Sequence, residues 1–174
     1  MRIWFCTFLF FGLILSSCDE VNKKQPPAKK VDVVRIKNQF VKANQQLIKK
    51  ENDEMDYYEK THQQKFVRTS SGVRYFVYKP SVLGDSLKEG MQVTLDYVVK
   101  LLSGEECYNS KTEGQKTIRI EQEQIESGIH RGLQYIKRGD KVQFLIPSHL
   151  AHGLLGDMNK IPPQVPILYD VTAN

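Results

Sequence analysis

Cysteine is scarce in this chain, with three in 174 residues. Cys6 and Cys18 both fall in the first eighteen positions, so Cys107 stands alone in the remainder and no internal disulfide framework can form there. Beyond Leu15 there is no long apolar run, and the run from Ile3 to Leu15 spans about 13 residues, short of the roughly 20 that a membrane-spanning helix needs. Internal repeats and low-complexity tracts are missing too. The formal charge of +5 is unevenly placed. Residues 19–70 carry twelve basic and eight acidic side chains, whereas residues 71–174 carry twelve of each, which leaves no electrostatic footprint for nucleic acid on the C-terminal part. His149 and His152 are the one histidine pair at close spacing, and no third ligand stands at a telling distance, so no metal site and no cofactor are expected.

What is present begins with Arg2, the apolar run and Leu15-Ser16-Ser17-Cys18, the pattern of a signal peptide over residues 1–17. The small residues before Cys18 resemble the lipobox of bacterial lipoproteins, in which the chain is cut before the cysteine and the new terminus is acylated with palmitate-type chains. An uncleaved anchor and an ordinary secretory signal are the alternatives. Residues 18–35 are polar, contain Pro26-Pro27 and lack an apolar period, which describes a tether carrying the lipidated Cys18. Over residues 36–66 apolar side chains recur at seven-residue intervals, Phe40 to Leu47 and Val41 to Ile48 to Met55, and predict an amphipathic helix. Its stripe has three conceivable uses: packing on the following domain, self-association with a copy of itself, or gripping a client.

After Thr69-Ser70-Ser71-Gly72 the pattern turns to strand, opening a domain over residues 72–174. Val73 to Tyr78 is rich in β-branched and aromatic residues. In "QVTLDYVVKL" the residues Val93, Leu95, Tyr97, Val99 and Leu101 alternate onto one face. Thr117 to Ile120, Lys141 to Ile146 and Ile167 to Val171 read as further strands, while Ile125, Ile129, Leu133 and Ile136 share one face of a short helix ending near Gly139. Many strands and one internal helix imply an α+β domain, a curved antiparallel β-sheet wrapped over that helix, with a core drawn from residues after Gly72.

The segments "GMQVTLDYVVKLLSGEECYNS", "QIESGIHRGLQYIKRGDKVQFLIPSHLAHG" and "KIPPQVPILYDV" resemble the FKBP-type peptidyl-prolyl cis-trans isomerases in order and spacing. The motifs that carry the likeness are the Gly-x-x-Val-x-x-x-Tyr strand, Gly128/Gly132/Gly139 around the helix, Ile146-Pro147, Leu150-Ala151-x-Gly153 and Ile161-Pro162-Pro163 before a strand. With its signal peptide, lipobox and long helix, the whole chain is similar to the bacterial lipoprotein isomerases associated with gliding motility.

The resemblance implies an apolar hollow in which Tyr97, Ile125, Glu126, Ile129, His152, Ile161 and Tyr169 hold a proline segment, Glu126 through its backbone N–H. Several of these positions depart from the family's usual residues. Cys107 occupies the place of a pocket aromatic, Tyr108 that of an Asp that would pair with the Tyr97 hydroxyl, Lys116 that of a Phe and Ile129 that of the aromatic floor. His152 replaces a Tyr, and Tyr169 stands where Phe is usual. For Tyr97, Tyr169 and Ile161 the plainer reading is ordinary core; for His152 it is a half-exposed ring making one hydrogen bond, and for Cys107 an inert apolar filler.

The function implied is proline isomerisation in envelope proteins by a lipoprotein facing the periplasm, its partners being Pro-containing segments and the membrane. The rival is a degenerate domain that binds envelope proteins as a chaperone or complex component without turnover.

Cys18→Ser is expected to leave the chain unacylated and in the soluble envelope fraction, because stable anchoring depends on several acyl chains at about 0.8 kcal/mol per CH₂. Continued labelling of that variant by a fatty-acid probe would contradict the lipobox reading.

Overall fold

The computed structural model describes residues 32–174. The expected signal peptide, Cys18 and most of the tether lie outside the described residues. The chain from Val34 to Asn174 forms one compact unit. Helix α1 (Val33–Thr61) is followed by strands β1 (Val67–Arg68), β2 (Arg74–Lys79), β3 (Gln92–Leu101) and β4 (Glu106–Asn109), the one-turn helix α2 (Ser110–Glu113), β5 (Lys116–Arg119), helix α3 (Ser127–Leu133), β6 (Lys141–Ile146), a 3₁₀ turn at Ser148–Leu150, and β7 (Ile167–Ala173). No helix among the described residues is long and apolar enough to cross a membrane.

All strand pairs are antiparallel, in the order β1-β2-β6-β7-β3-β4, with β5 also on β3. The long strand β3 is shared along its outer side: β5 pairs with Gln92–Leu95 and β4 with Val98–Lys100, with an irregularity at Val99/Lys100. This is the α+β architecture expected, an antiparallel sheet curved over a short helix. Alternation decides the faces. Val93, Leu95, Tyr97 and Val99 of β3, Val142, Phe144 and Ile146 of β6, and Ile167, Tyr169 and Val171 of β7 point into one core with Ile129 and Leu133 of α3. The helix is shorter than its apolar period suggested, because Ile125 and Ile136 flank Ser127–Leu133 in the adjoining turns.

Helix and sheet approach closely at two glycines. A Cβ at Gly132 would lie 2.7 Å from the Phe144 ring, and one at Gly128 would lie 2.3 Å from Ile146 Cγ2. Only a residue without a side chain fits there, so Phe144 and Ile146 lie directly on the helix backbone.

The opposite face of the sheet is covered by the second half of α1. Met55 and Tyr58 pack with Phe66, Leu145 and Leu168 in a second buried cluster. The core over α3 is drawn from residues after Gly72, and α1 adds a second cluster to it: Leu145 and Leu168, which break the simple alternation of buried and exposed positions, are buried because α1 lies on them. Two polar anchors accompany this packing. The Arg74 guanidinium, 1% exposed, donates to Asp56 at 2.6 Å, Glu59 at 2.5 Å and the Asn52 side chain at 2.9 Å. Glu51, also buried, accepts from Ser148. The first half of the helix is different: of the expected stripe, Phe40, Val41 and Ile48 are exposed, Leu47 is half-buried and Met55 is buried.

Uncompensated burial of Arg74 is the costly way to break this contact. Replacing both Asp56 and Glu59 with Ala is expected to destabilise the protein by about 3–5 kcal/mol, whereas Arg74→Met, which removes the charge and keeps the volume, costs less. Urea denaturation of the two variants checks the order, and a larger loss for Arg74→Met would contradict it.

Candidate functional site

The concave face of the sheet opens toward the N-terminal end of α3. Tyr97 comes from the middle of β3 and Tyr169 from the paired β7, where Tyr97 is in register with Val171 and Val99 with Tyr169. Two residues of offset on the same face bring the rings to a centroid distance of 6.3 Å at 46°, a tilted aromatic pair. Ile129 on the first turn of α3 and Ile161 in the loop before β7 are buried in the same core, and Ile125 is half-buried against it. These five apolar side chains are brought together as the sequence suggests.

Glu126 links them to polar chemistry. Its Oε1 accepts a hydrogen bond from the Tyr169 hydroxyl at 3.0 Å and lies 3.1 Å from His152 Nε2. Burial pushes the Glu126 carboxyl up, but the His152 contact, the residue's own backbone N–H and the Tyr169 hydroxyl outweigh it and hold it below the usual carboxylate range. The same hydrogen bond raises His152 above its ordinary value against the opposing effect of burial. Tyr169 is pushed well above the usual phenol range, first by burial and then by the Glu126 charge. His152 thus makes one firm hydrogen bond and also lines the opening, a hollow of about 500 Å³ bounded by Lys116, Gln124, Ile125, Glu126, Ser127, Ala151 and His152.

Of the departing positions, Lys116 and His152 line the opening, while Cys107 and Ile129 lie in the core. Lys116 is exposed, with its ammonium 5.1 Å from the centroid of the Tyr97 ring, so a cation caps an aromatic wall. Cys107 is buried in the core, its Sγ 3.8 Å from the Lys160 carbonyl oxygen, and burial raises its thiol above the ordinary range, which suits a filler and not a nucleophile. The Tyr108 hydroxyl donates to Asp157, and its ring receives Lys160 at 4.9 Å.

Asp157 and Lys160 were not singled out from the sequence, yet they build the loop that presents Ile161. Asp157 Oδ1 accepts from the backbone N–H groups of Asn159 at 2.9 Å and Ile161 at 2.8 Å, an Asx turn, while the Asp157 N–H donates to the Ile161 carbonyl at 3.1 Å. Lys160 Nζ donates to the Cys107 carbonyl at 2.7 Å. Ile161 is therefore fixed through both its backbone groups, in addition to the rigidity of Pro162-Pro163. The signal available in the sequence was the Gly156-Asp157-x-Asn159 turn chemistry. A larger groove, about 810 Å³, runs between α1 and the Leu101–Ser103 and Val165–Pro166 segments, but none of the residues above lines it.

The Glu126–His152 pair makes stability depend on pH in two directions. His152, raised in the folded state, contributes stability that is full below its ordinary value of 6.5 and lost as pH rises through the raised one. Glu126, lowered, contributes stability that is full above its ordinary value of 4.5 and lost as pH falls through the lowered one. The pair is fully stabilising between those two ordinary values. His152→Gln is expected to lower Tm more at mildly acidic than at alkaline pH, and an equal loss at both would contradict the pairing.

Comparison with known proteins agrees with this geometry. The profile of the FKBP-type peptidyl-prolyl cis-trans isomerase family matches residues 84–174. The FKBP-type isomerase FkpA of Buchnera aphidicola (subspecies Acyrthosiphon pisum) is 32% identical over 104 residues, 60% of this chain and 42% of that protein. FkpA of Escherichia coli K12 is 34% identical over 117 residues, 67% of this chain and 42% of that protein. The match thus spans less than half the length of these curated relatives. The crystal structure of FkpA from Escherichia coli superposes with a TM-score of 0.60 at 27% identity, covering 86% of this chain and 72% of that one. A family profile over the whole of the sheet from β3 onward, and a solved relative that extends over most of the described residues, show that the chain belongs to the FKBP-type peptidyl-prolyl cis-trans isomerase family.

Proposed function

We propose that the chain is a peptidyl-prolyl cis-trans isomerase, anchored to a bacterial membrane through Cys18 and acting on proline-containing segments of cell-envelope proteins. The observation that carries the reading is the Tyr97–Tyr169 aromatic pair, buried in one core with Ile129 and Ile161 and joined through Lys116 and Glu126 to the opening that those two residues line with Ile125 and His152. The lipobox resemblance supports the anchor, and the likeness to gliding-motility lipoproteins supports clients in the envelope.

The chemistry follows from the amide. An X-Pro bond turns over through a twisted state that has lost resonance, at a barrier of ~18–20 kcal/mol for peptide bonds in general, and unaided it takes tens to hundreds of seconds. The planar amide is the more dipolar form. Apolar walls disfavour it relative to the twisted form, and donors on the rim orient the flanking peptide, so the site needs shape and dryness more than a reactive group. An acceleration of 10⁴ corresponds to about 5.5 kcal/mol of differential stabilisation. Tyr169 serves as wall and as donor to Glu126, which keeps the carboxylate turned to the rim and away from the proline's place.

The departures at Cys107, Lys116 and Ile129 favour a second reading, a binder without turnover, since together they make the hollow less aromatic than the family's. Proline-limited refolding catalysed by the chain lacking residues 1–18 separates the two. Acceleration by the wild type is expected. Tyr169→Phe, which keeps the wall and removes the hydroxyl bond to Glu126, should cost about 1.5–3 kcal/mol of stability and retain most activity. Tyr169→Ala should cost about 3–5 kcal/mol and abolish activity in the fraction still folded. Binding of proline peptides by a wild type that accelerates nothing would replace the isomerase with the binder.

A further inference from the structure

Glu51 is a carboxylate that the fold buries without a cation. It is 2% exposed, and among the described residues no Lys, Arg or His lies within ion-pair distance of it. Both of its oxygens go to one residue: Oε2 accepts the Ser148 backbone N–H at 2.8 Å and Oε1 accepts the Ser148 hydroxyl. Burying a lone carboxylate is expensive, and an apolar residue would dock α1 at lower cost. Docking does not require it in any case, because the Arg74 cluster and the Met55–Tyr58 packing already hold the same helix.

Ser148 is the start of the turn that carries His152. Its carbonyl accepts the N–H of Ala151 at 2.9 Å and of Gly153 at 2.8 Å, the two neighbours of His152. Gly153 takes a φ of +63°, and its carbonyl accepts the Gln164 N–H at 3.0 Å, so the turn is tied onward to the segment entering β7. His152 hangs between two pinned residues and reaches Glu126 at 3.1 Å.

We propose that Glu51 is a positioning residue for the site: from the far side of the sheet it fixes Ser148, Ser148 fixes the backbone on either side of His152, and His152 in turn fixes Glu126 at the mouth of the hollow. Helix α1 is thereby part of the isomerase apparatus and not only its support. The catalytic consequence rests on the isomerase reading above; the positional one does not.

The test uses the full chain with labelled histidine, so that the His152 titration is followed by NMR beside kcat, KM and Tm on a proline peptide. Around His152 the groups that set its midpoint are Glu126, Asp157 and Lys116, all unaltered in the variants. Glu51→Ala is expected to move the His152 midpoint down toward its ordinary value and to lower kcat about tenfold with little change in KM. Glu51→Gln, which keeps an acceptor for the Ser148 N–H, should recover most of both. A folded Glu51→Ala protein with wild-type His152 titration and kcat overturns the proposal. Should Glu51→Ala not fold, Ser148→Ala, which loses only the hydroxyl bond, is read instead: a smaller shift of the His152 midpoint in the same direction supports the proposal, and an unchanged midpoint overturns it. A wild type inactive on every proline peptide defeats the isomerase reading alone, and the His152 titration still decides the role of Glu51.

Discussion

The close approach of α3 to the sheet is the constraint on which the site depends. With no Cβ at Gly128 and Gly132, Ile146 and Phe144 rest on the helix backbone, and the sheet must curve to follow so short an element. That distance decides where the helix begins, and its beginning brings Glu126 to the Tyr169 hydroxyl and Ile125 against the same core. Tyr97 and Tyr169 share that face because β3 and β7 pair in register with inward alternation. A side chain at either glycine would push the helix off the sheet and widen the hollow, a change in shape with no change in any residue that lines it. In a site that works by shape and exclusion of water, such a change is chemical.

The sheet is loaded from both sides. On the concave face the energy is ordinary hydrophobic burial, on the order of 1.5–3 kcal/mol for each large apolar side chain. On the convex face the same term from Met55, Tyr58, Leu145 and Leu168 is joined by buried charge. Arg74 is satisfied by three side chains of α1, and Glu51 by two donors of Ser148. Charges of this kind add little net stability where apolar residues could stand, but they admit one register only. A helix held by apolar contact alone could slide by a turn; one held by Arg74 as well cannot. The Arg74 and Glu51 contacts couple the helix to a strand and to the loop that bears His152.

Much of this was legible in the sequence where one period dominated. The β3 strand reads directly from Val93, Leu95, Tyr97 and Val99, and β6 from Val142, Phe144 and Ile146, since a face either meets the core or does not. Leu145 and Leu168 were not legible as core, because their partners Met55 and Tyr58 are more than eighty positions away in a helix whose own pattern gives no hint of which half docks. Nothing local marks Arg74 and Glu51 as interior, and only tertiary contact makes them so. The β4 and α2 segments were hidden because "ECYN" and "SKTE" show neither alternation nor a run of β-branched residues. At the site, the partners of Tyr108 were hidden for a related reason: Asp157 and Lys160, which engage its hydroxyl and its ring, come from a loop far along the sequence. Local pattern fixes faces; pairing of polar groups across the fold is decided by geometry that the pattern does not contain.

Among the described residues two concavities could take the proline of the proposed client: the opening lined by Lys116, Ile125, Glu126 and His152 beside the Tyr97–Tyr169 pair, and the larger groove beside α1 at Leu101 and Val165. The proposed isomerase takes the proline in the first. Nuclear Overhauser contacts from the ring protons of a bound proline peptide to the protein test this directly. Contacts to the Ile129 and Ile161 methyl groups and to the Tyr97 and Tyr169 rings are expected. Contacts confined to Leu101, Val165 and Tyr57 would contradict that placement.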